Sequence, residues 1–226
     1  MKYHALIVAA GTGSRMLTDI PKQFLELNGK PILMHTIGAF YHSDLHPLIT
    51  VVLNETVIDF WETLCNRYNF TLAHRVICGG DNRFNSVKNG ISSILSTDDG
   101  CVIAIHDAVR PLVSNHIITK SFQQAESEGS AVTMIRSRDS VRRISSDLNE
   151  ALNRNEIYLV QTPQTFTSAV LKTAYEQSFN ESFTDDASVV EKAGYPIRLL
   201  EGANQNIKIT FPEDLLIAEA FLQKNK

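Results

Sequence analysis

No stretch of this 226-residue chain approaches 18 consecutive apolar residues, so it offers no membrane-spanning helix. Cysteine is scarce as well: Cys65, Cys78 and Cys101 form no C-x-x-C pair, no histidine or cysteine pair has zinc spacing, and HExxH is absent. A disulfide framework and a zinc site are therefore not expected. Cys78 and Cys101 fall in apolar runs, where a free thiol packs as a small hydrophobe, a usage that fits a reducing compartment. Positive charge is not in excess either: 21 Lys and Arg against 25 Asp and Glu leave a formal charge of −4. That excludes an overall attraction to nucleic acid or anionic lipid, and any polyanion must be met by a local basic cluster. Internal repeats, low-complexity tracts and linkers are missing. The start, MKYHALIVAAG, has one lysine and a short apolar run that opens directly into a glycine loop, unlike a secretory leader. A cytoplasmic chain with neither membrane nor nucleic-acid partners is the expectation.

What is present describes one globular domain over residues 1–226, with 43% hydrophobic and 20% charged residues. Short β-branched runs alternate with helical patterns: ALIVA near the start, LITVVL at 48–53, RVIC at 75–78, CVIAIH at 101–106, AVTMI at 131–135 and IRLL at 197–200. Unbroken apolar strands interleaved with helices predict a doubly wound α/β fold with a mainly parallel sheet. Ile32, Leu33, Thr36, Ile37, Phe40 and Tyr41 share a helical face after Pro31, and Leu215, Leu216, Ala218 and Leu222 follow Pro212. Thr210 with Glu213 reads as a capping box for that last helix. Residues 136–161 break the rhythm, with isolated Val141 and Ile144 and a strand resuming at Tyr158 to Val160. A segment this long reads as an extended arm or hairpin leaving the body, against the plainer alternative of a surface loop.

The strongest local signal is Ala9-Ala10-Gly11-Thr12-Gly13-Ser14-Arg15-Met16, placed where a first strand ends. Glycines there let backbone N–H groups surround phosphate oxygens, at the strand end where open α/β sheets bind ligands. A dinucleotide fingerprint needs a third glycine where Met16 stands, and a P-loop needs Gly-Lys-Ser/Thr, which is absent. What stays is a glycine loop with its own arginine, followed by Lys22 in PKQF. An arginine and a lysine beside phosphates supply the charge that nucleotidyl transfer requires on the α-phosphate and departing pyrophosphate; both could equally be solvated surface cations.

AAGTGSRM with PKQF, GGDNRFNSV at 79–87, HDAVRP at 106–111, QTPQTF at 161–166, TDDAS at 184–188 and NIKIT at 206–210 resemble, in order and spacing, the 2-C-methyl-D-erythritol 4-phosphate cytidylyltransferase family of the non-mevalonate isoprenoid pathway. The resemblance covers nearly the whole chain. It implies a Rossmann-like body, a protruding β-arm at about 136–161 used for dimerisation, a cytoplasmic homodimer, and use of Mg²⁺ with CTP and a sugar-alcohol phosphate. By motif it assigns Arg15, Lys22 and Lys208 to the triphosphate and transition state. Ala9, Ala10, Gly11 and Gly13 would cradle the nucleotide, Gly80, Asp81 and Ser86 would read cytosine, and Arg83 and Ala108 also fall to the nucleotide. Cytosine pairs an exocyclic amine with acceptors, so carboxylate, hydroxyl and backbone groups can select it over uracil. Asp107 and Arg110 would face the acceptor, with Thr162, Thr184 and Thr210; in the arm, Ser140 stands where the family usually has threonine, and Arg154 matches the arginine presented by the partner subunit.

No protein metal ligand is assigned: Mg²⁺ would be held mostly by triphosphate oxygens and water, with Asp107 a weak candidate. His106 is not taken as a general base, because an attacking phosphate oxygen is already anionic near neutral pH. A ribitol-5-phosphate cytidylyltransferase is the nearest alternative, separated by TDDAS and the arm region, where the match to the erythritol enzymes is better. A nicotinamide-dependent oxidoreductase is opposed by the missing third glycine. A non-catalytic nucleotide-binding module would have no reason to keep Arg15, Lys22 and Lys208 together.

Overall fold

The structure is a computed structural model that describes residues 1–11 and 20–224. The first strand, β1 (Tyr3–Val8), is followed by a 3-10 turn at Lys22–Phe24 and a small hairpin of β2 (Glu26–Leu27) and β3 (Lys30–Pro31). Asn28 and Gly29 turn that hairpin at φ 48° and 75°, the positive pair that a two-residue type I′ turn demands. There follow α1 (Ile32–Tyr41), β4 (Leu48–Leu53), α2 (Ile58–Arg67), β5 (Arg75–Cys78), α3 (Arg83–Leu95), β6 (Val102–Asp107), α4 (Asn115–Glu128) and β7 (Ser130–Arg136). A second hairpin, β8 (Val141–Ser145) and β9 (Leu148–Leu152), precedes β10 (Tyr158–Thr167), α5 (Ser168–Ala174), α6 (Asp186–Lys192), β11 (Leu199–Glu201) and α7 (Pro212–Lys224).

Seven strands form the main sheet in the order β11-β7-β10-β6-β1-β4-β5. All neighbours are parallel except β10, which runs antiparallel to both β6 and β7. The alternation of side chains along a strand sends successive residues to opposite faces, and both faces are covered. Ile7, Val51 and Ala104 pack beneath Phe40 of α1, Trp61 of α2 and Phe122 of α4. Their sequence neighbours Leu6, Val52 and Ile103 pack beneath Ile91 of α3, Leu171 of α5 and Val190 of α6. Each such fully buried large side chain contributes about 1.5–3 kcal/mol of transfer free energy, which explains why the strands read as continuous apolar runs. A smaller cluster of Leu27, Ile32, Val109, Ile209 and Ala218 seats α7 on the first hairpin.

The expected doubly wound α/β architecture is present, with differences in detail. Tyr158 begins a strand that continues to Thr167, so QTPQTF is strand and not connection; the register shifts between Val160 and Gln164, where the Thr162–Pro163 peptide is cis. The irregular segment is a hairpin: β8 pairs with β9 from Val141↔Leu152 to Ser145↔Leu148 and belongs to no other sheet. Most of its side chains are exposed, which is why it carries no apolar period. The cap of α7 is also different from the Thr210–Glu213 box. Asp214 Oδ2 accepts from the backbone N–H groups of Thr210 at 2.7 Å and Phe211 at 2.8 Å, while the Thr210 hydroxyl donates to the Lys208 carbonyl at 3.2 Å. The acidic side chain in the first turn does the capping because its charge meets the unpaired amides at the positive end of the helix. Cys78, expected to pack as a hydrophobe, is exposed at the end of β5, whereas Cys101 is buried.

Candidate active site

The parallel strands β1, β4, β5 and β6 all end on one side of the sheet, and a cavity of about 540 Å³ opens there. Its walls include Ala9, Ala10 and Gly11 after β1, Gly80 and Asp81 after β5, Arg83 and Ser86 at the start of α3, and Asp107 and Ala108 at the end of β6. Lys22 and Lys208 complete it. Beside it lies a second cavity of about 290 Å³, lined by Arg110, Gln161, Thr162, Gln164, Thr184 and Asp185. Arg83, Asp107 and Lys208 belong to both walls, so the two spaces meet at these side chains. Arg15 and Gly13 lie outside the described residues. Ser140, Arg154 and Thr210 line neither cavity: Ser140 is exposed before β8, and Arg154, on the turn after β9, donates to the Arg138 carbonyl at 3.2 Å.

The GGD turn is built by close approach. A Cβ on Gly79 would lie 2.9 Å from the Ala10 Cβ and from Ser86 Oγ, so only glycine lets the turn reach the chain leaving β1. Ser86 is buried, its hydroxyl accepts from the Gly80 N–H at 3.0 Å and donates to the Asn82 carbonyl at 2.8 Å. Its proton is thus spent on the turn, and what it offers the cavity is acceptor capacity. Gln23, given no role by sequence reasoning, is buried and donates through Nε2 to the carbonyls of Ala9 at 2.7 Å and Gly11 at 3.4 Å. That bond ties PKQF to the start of the glycine loop and sets Lys22 at the cavity, with Lys22 Nζ 3.4 Å from the Ile209 carbonyl. The only sequence signal for Gln23 was an amide between a functional lysine and a core phenylalanine.

Asp107 is the electrostatic centre. Lys208 Nζ lies 3.1 Å and Arg110 Nε 3.3 Å from Oδ2, and Arg83 Nη2 lies 3.9 Å from Oδ1. Burial disfavours the carboxylate, but Lys208, Arg83 and Arg110 outweigh it and hold Asp107 well below the usual carboxylate range. Arg83 is anchored from behind: Asp186, completely buried, accepts from Nη1 at 2.9 Å and from Nη2 at 2.6 Å, and the Tyr175 hydroxyl donates to the same carboxylate at 2.6 Å. Burial opposes the charge on Arg83, yet the carboxylates of Asp186 and then Asp107 raise its pKa above the ordinary value. A bidentate pair of this kind fixes the guanidinium plane. Asp186 and Tyr175 also escaped sequence reasoning, since nothing local links residue 186 to residue 83. Four cations, Lys22, Arg83, Arg110 and Lys208, therefore line two adjoining cavities, an arrangement able to hold a polyphosphate in one and a monophosphate in the other.

His106, at the end of β6, is completely buried, and desolvation lowers its pKa from 6.5 to about 4 despite its bond to the Arg110 carbonyl. The folded state thus binds fewer protons than the unfolded chain between pH 6.5 and 4, so stability falls as pH falls through that window. His35 is shifted in the same direction by burial. The expected loss from His106 is on the order of 3 kcal/mol across the window. Thermal midpoints measured from pH 7 to pH 4.5 should drop steadily, and His106→Asn should flatten the slope. An unchanged slope in that variant would refute the assignment.

The sequence model for IspD, 2-C-methyl-D-erythritol 4-phosphate cytidylyltransferase, matches residues 3–224. A protein of that name from Azobacteroides pseudotrichonymphae is 48% identical over 221 residues, covering 97% of this chain and 98% of the other. Its counterpart from Bacteroides fragilis is 45% identical and covers 96% and 98%. Among solved structures, 2-C-methyl-D-erythritol 4-phosphate cytidylyltransferase from Thermus thermophilus superimposes with a TM-score of 0.78 at 29% identity, over 99% of this chain and 100% of that one. Matching over essentially its full length at these identities, and carrying the two cavities joined at Asp107, this chain belongs to the 2-C-methyl-D-erythritol 4-phosphate cytidylyltransferase family.

Proposed function

We propose that the chain transfers CMP from CTP to 2-C-methyl-D-erythritol 4-phosphate, forming 4-diphosphocytidyl-2-C-methyl-D-erythritol and pyrophosphate. The observation that carries this reading is the junction of the two cavities at Arg83, Asp107 and Lys208. The larger cavity takes the nucleotide, with Gly80, Asp81 and Ser86 toward the base and Lys22 and Lys208 toward the phosphates. The smaller takes the acceptor phosphate, with Arg110 as its cation and Thr184 at its rim. An acceptor phosphate oxygen attacks the α-phosphorus of CTP; the new P–O bond forms as the bond to the bridging oxygen breaks, and pyrophosphate leaves with the electron pair. No proton has to be removed from the nucleophile, and the carboxylate at the junction, Asp107, is already paired with Lys208 and Arg110. The protein positions the two anions and offsets the charge that builds between them.

Among the described residues no cluster of three His, Cys, Asp or Glu could hold a metal ion. Mg²⁺ fits this donor set only as an ion held by triphosphate oxygens and water, with Asp107 within reach and already surrounded by cations; bound there, it supplies charge neutralisation of the phosphates. Arg154 and Ser140, outside both cavities of their own chain, fit a homodimer whose arm reaches the partner's acceptor site. No helix among the described residues is long and apolar enough to cross a membrane, and we place the reaction in the cytoplasm on the reduced state of the thiols.

Pyrophosphate release from CTP tests the reading directly. Release is expected with methylerythritol phosphate and at least about tenfold slower release with ribitol 5-phosphate, since a pocket built for one polyol mis-seats another. The reverse order would transfer the assignment to ribitol phosphate, and no release with either would leave only a nucleotide-binding module.

A further inference from the structure

We infer that His106 is a positioning residue for the acceptor subsite, acting with Thr162 as a latch that clamps both ends of the Asp107–Arg110 turn; the inference rests on the function proposed above. The turn is short, closed by the Arg110 N–H donating to the Asp107 carbonyl at 3.1 Å. Its first residue is held by Thr162, whose Oγ1 accepts from the Asp107 N–H at 3.0 Å. Its last is held by His106, whose Nε2 lies 3.1 Å from the Arg110 carbonyl. The latch closes between the two holders, with Thr162 Oγ1 3.1 Å from His106 Nδ1.

These contacts assign the protons. A carbonyl oxygen only accepts, so His106 Nε2 carries the hydrogen and donates to Arg110. In a neutral ring Nδ1 is then an acceptor, and among the described residues the donor facing it is the Thr162 hydroxyl. Burial of the ring, which packs edge-on against Phe40 at 5.0 Å, keeps it neutral. Thr162 therefore has no proton left for a substrate phosphate: it receives one hydrogen bond from Asp107 and gives its own to His106. Its influence on the acceptor passes through the turn that carries Asp107 and Arg110. The latch also crosses between strands, since His106 is the penultimate residue of β6 while Thr162 sits where the register of β10 shifts. A shift of this kind re-aims a side chain, here toward the end of the neighbouring strand.

Steady-state kinetics with a double-mutant cycle test the latch. Thr162→Val should raise the KM for methylerythritol phosphate about tenfold, the worth of a buried hydrogen bond, with CTP affinity held within about twofold. Thr162→Ser, which keeps the hydroxyl, should recover most of the loss. His106→Phe should produce the same split, and the double variant should be no worse than the poorer single one, because both break one unit. Additive effects, or a His106 variant with normal acceptor KM, would mean that Thr162 contacts substrate directly and would overturn the latch. Should His106→Phe fail to fold, ¹⁵N NMR of the intact wild-type protein decides: the Nε2–H tautomer supports the latch, and the Nδ1–H tautomer removes it. Wild-type protein that has the Nε2–H tautomer yet releases no pyrophosphate overturns the proposed function and the acceptor assignment with it.

Discussion

Lys22→Ala should lower turnover by roughly two to three orders of magnitude, the cost of removing one preorganised charge at a reacting centre, and should weaken CTP binding far less. The asymmetry follows from where the charge sits. Lys22 opens the 3-10 turn that Gln23 straps to Ala9 and Gly11, so its backbone is fixed at the cavity wall, with Nζ 3.4 Å from the Ile209 carbonyl. On the proposed reading Arg83 and Lys208, which line the same cavity, would also meet the triphosphate in the ground state. In the transition state negative charge moves onto the departing pyrophosphate, and an interaction that strengthens there acts on kcat. Single-turnover rates set against an equilibrium Kd for CTP separate the two, and near-normal turnover in the alanine variant would strip Lys22 of the role. Lys22→Arg should restore only part of the rate, since a planar fork does not replace a point charge.

Mixing two variants expected to be nearly inactive, Lys22→Ala and Arg154→Ala, should restore activity if subunits of a homodimer exchange. If each acceptor site combines Lys22 of one body with the partner's arm, a heterodimer of the two variants contains one intact site. Random 1:1 exchange of a symmetric dimer then returns roughly a quarter of wild-type activity. The expectation comes from the position of Arg154: it lies on the turn that follows the exposed hairpin and lines neither cavity of its own chain. A cation that served the site of its own subunit would show no complementation, and activity of the mixture equal to the average of its parts would end the shared-site reading. The exposed side chains of that hairpin, Ile144 and Leu148 among them, are what a partner surface would have to cover.

Much of this was legible before any coordinates. The strands of the parallel body are continuous apolar runs because helices cover both faces, and LITVVL and RVIC fall on β4 and β5 residue for residue. The motifs at strand ends were legible for the same topological reason, and Ala9, Gly80, Asp107 and Lys208 do meet at one cavity. Three kinds of feature were not. The second half of β10 hides, although its start at Tyr158 to Val160 reads as strand, because a segment carrying Gln161, Pro163 and Gln164 has the composition of a loop, and its partners lie far away in sequence. Asp186 hides because its charge is explained only by Arg83, 103 residues earlier. Gln23 hides because a buried polar residue resembles an ordinary surface one until its hydrogen bonds are known, whereas His106, declined as a general base from the sequence, is buried as a structural residue would be. The helix cap shows a subtler limit: Thr210 and Glu213 have the right spacing, yet Asp214 takes the amides.

The antiparallel strand has a consequence for synthesis. A ribosome delivers the chain from its N-terminus, so β1, β4, β5 and β6, whose ends carry most of the larger cavity's walls, emerge before the Lys208 segment that completes it. β7 comes next and finds no neighbour, because both strands that flank it, β10 and β11, are still to be made. Through that interval the growing protein carries an open edge on β6 and an orphan apolar strand, the combination most prone to pair with another nascent chain. Only when β10 slides between β6 and β7 does the edge close, and the same insertion brings Thr162 against His106 and Asp107. Burying the aggregation-prone edge and completing the second cavity are one event in the birth of the molecule.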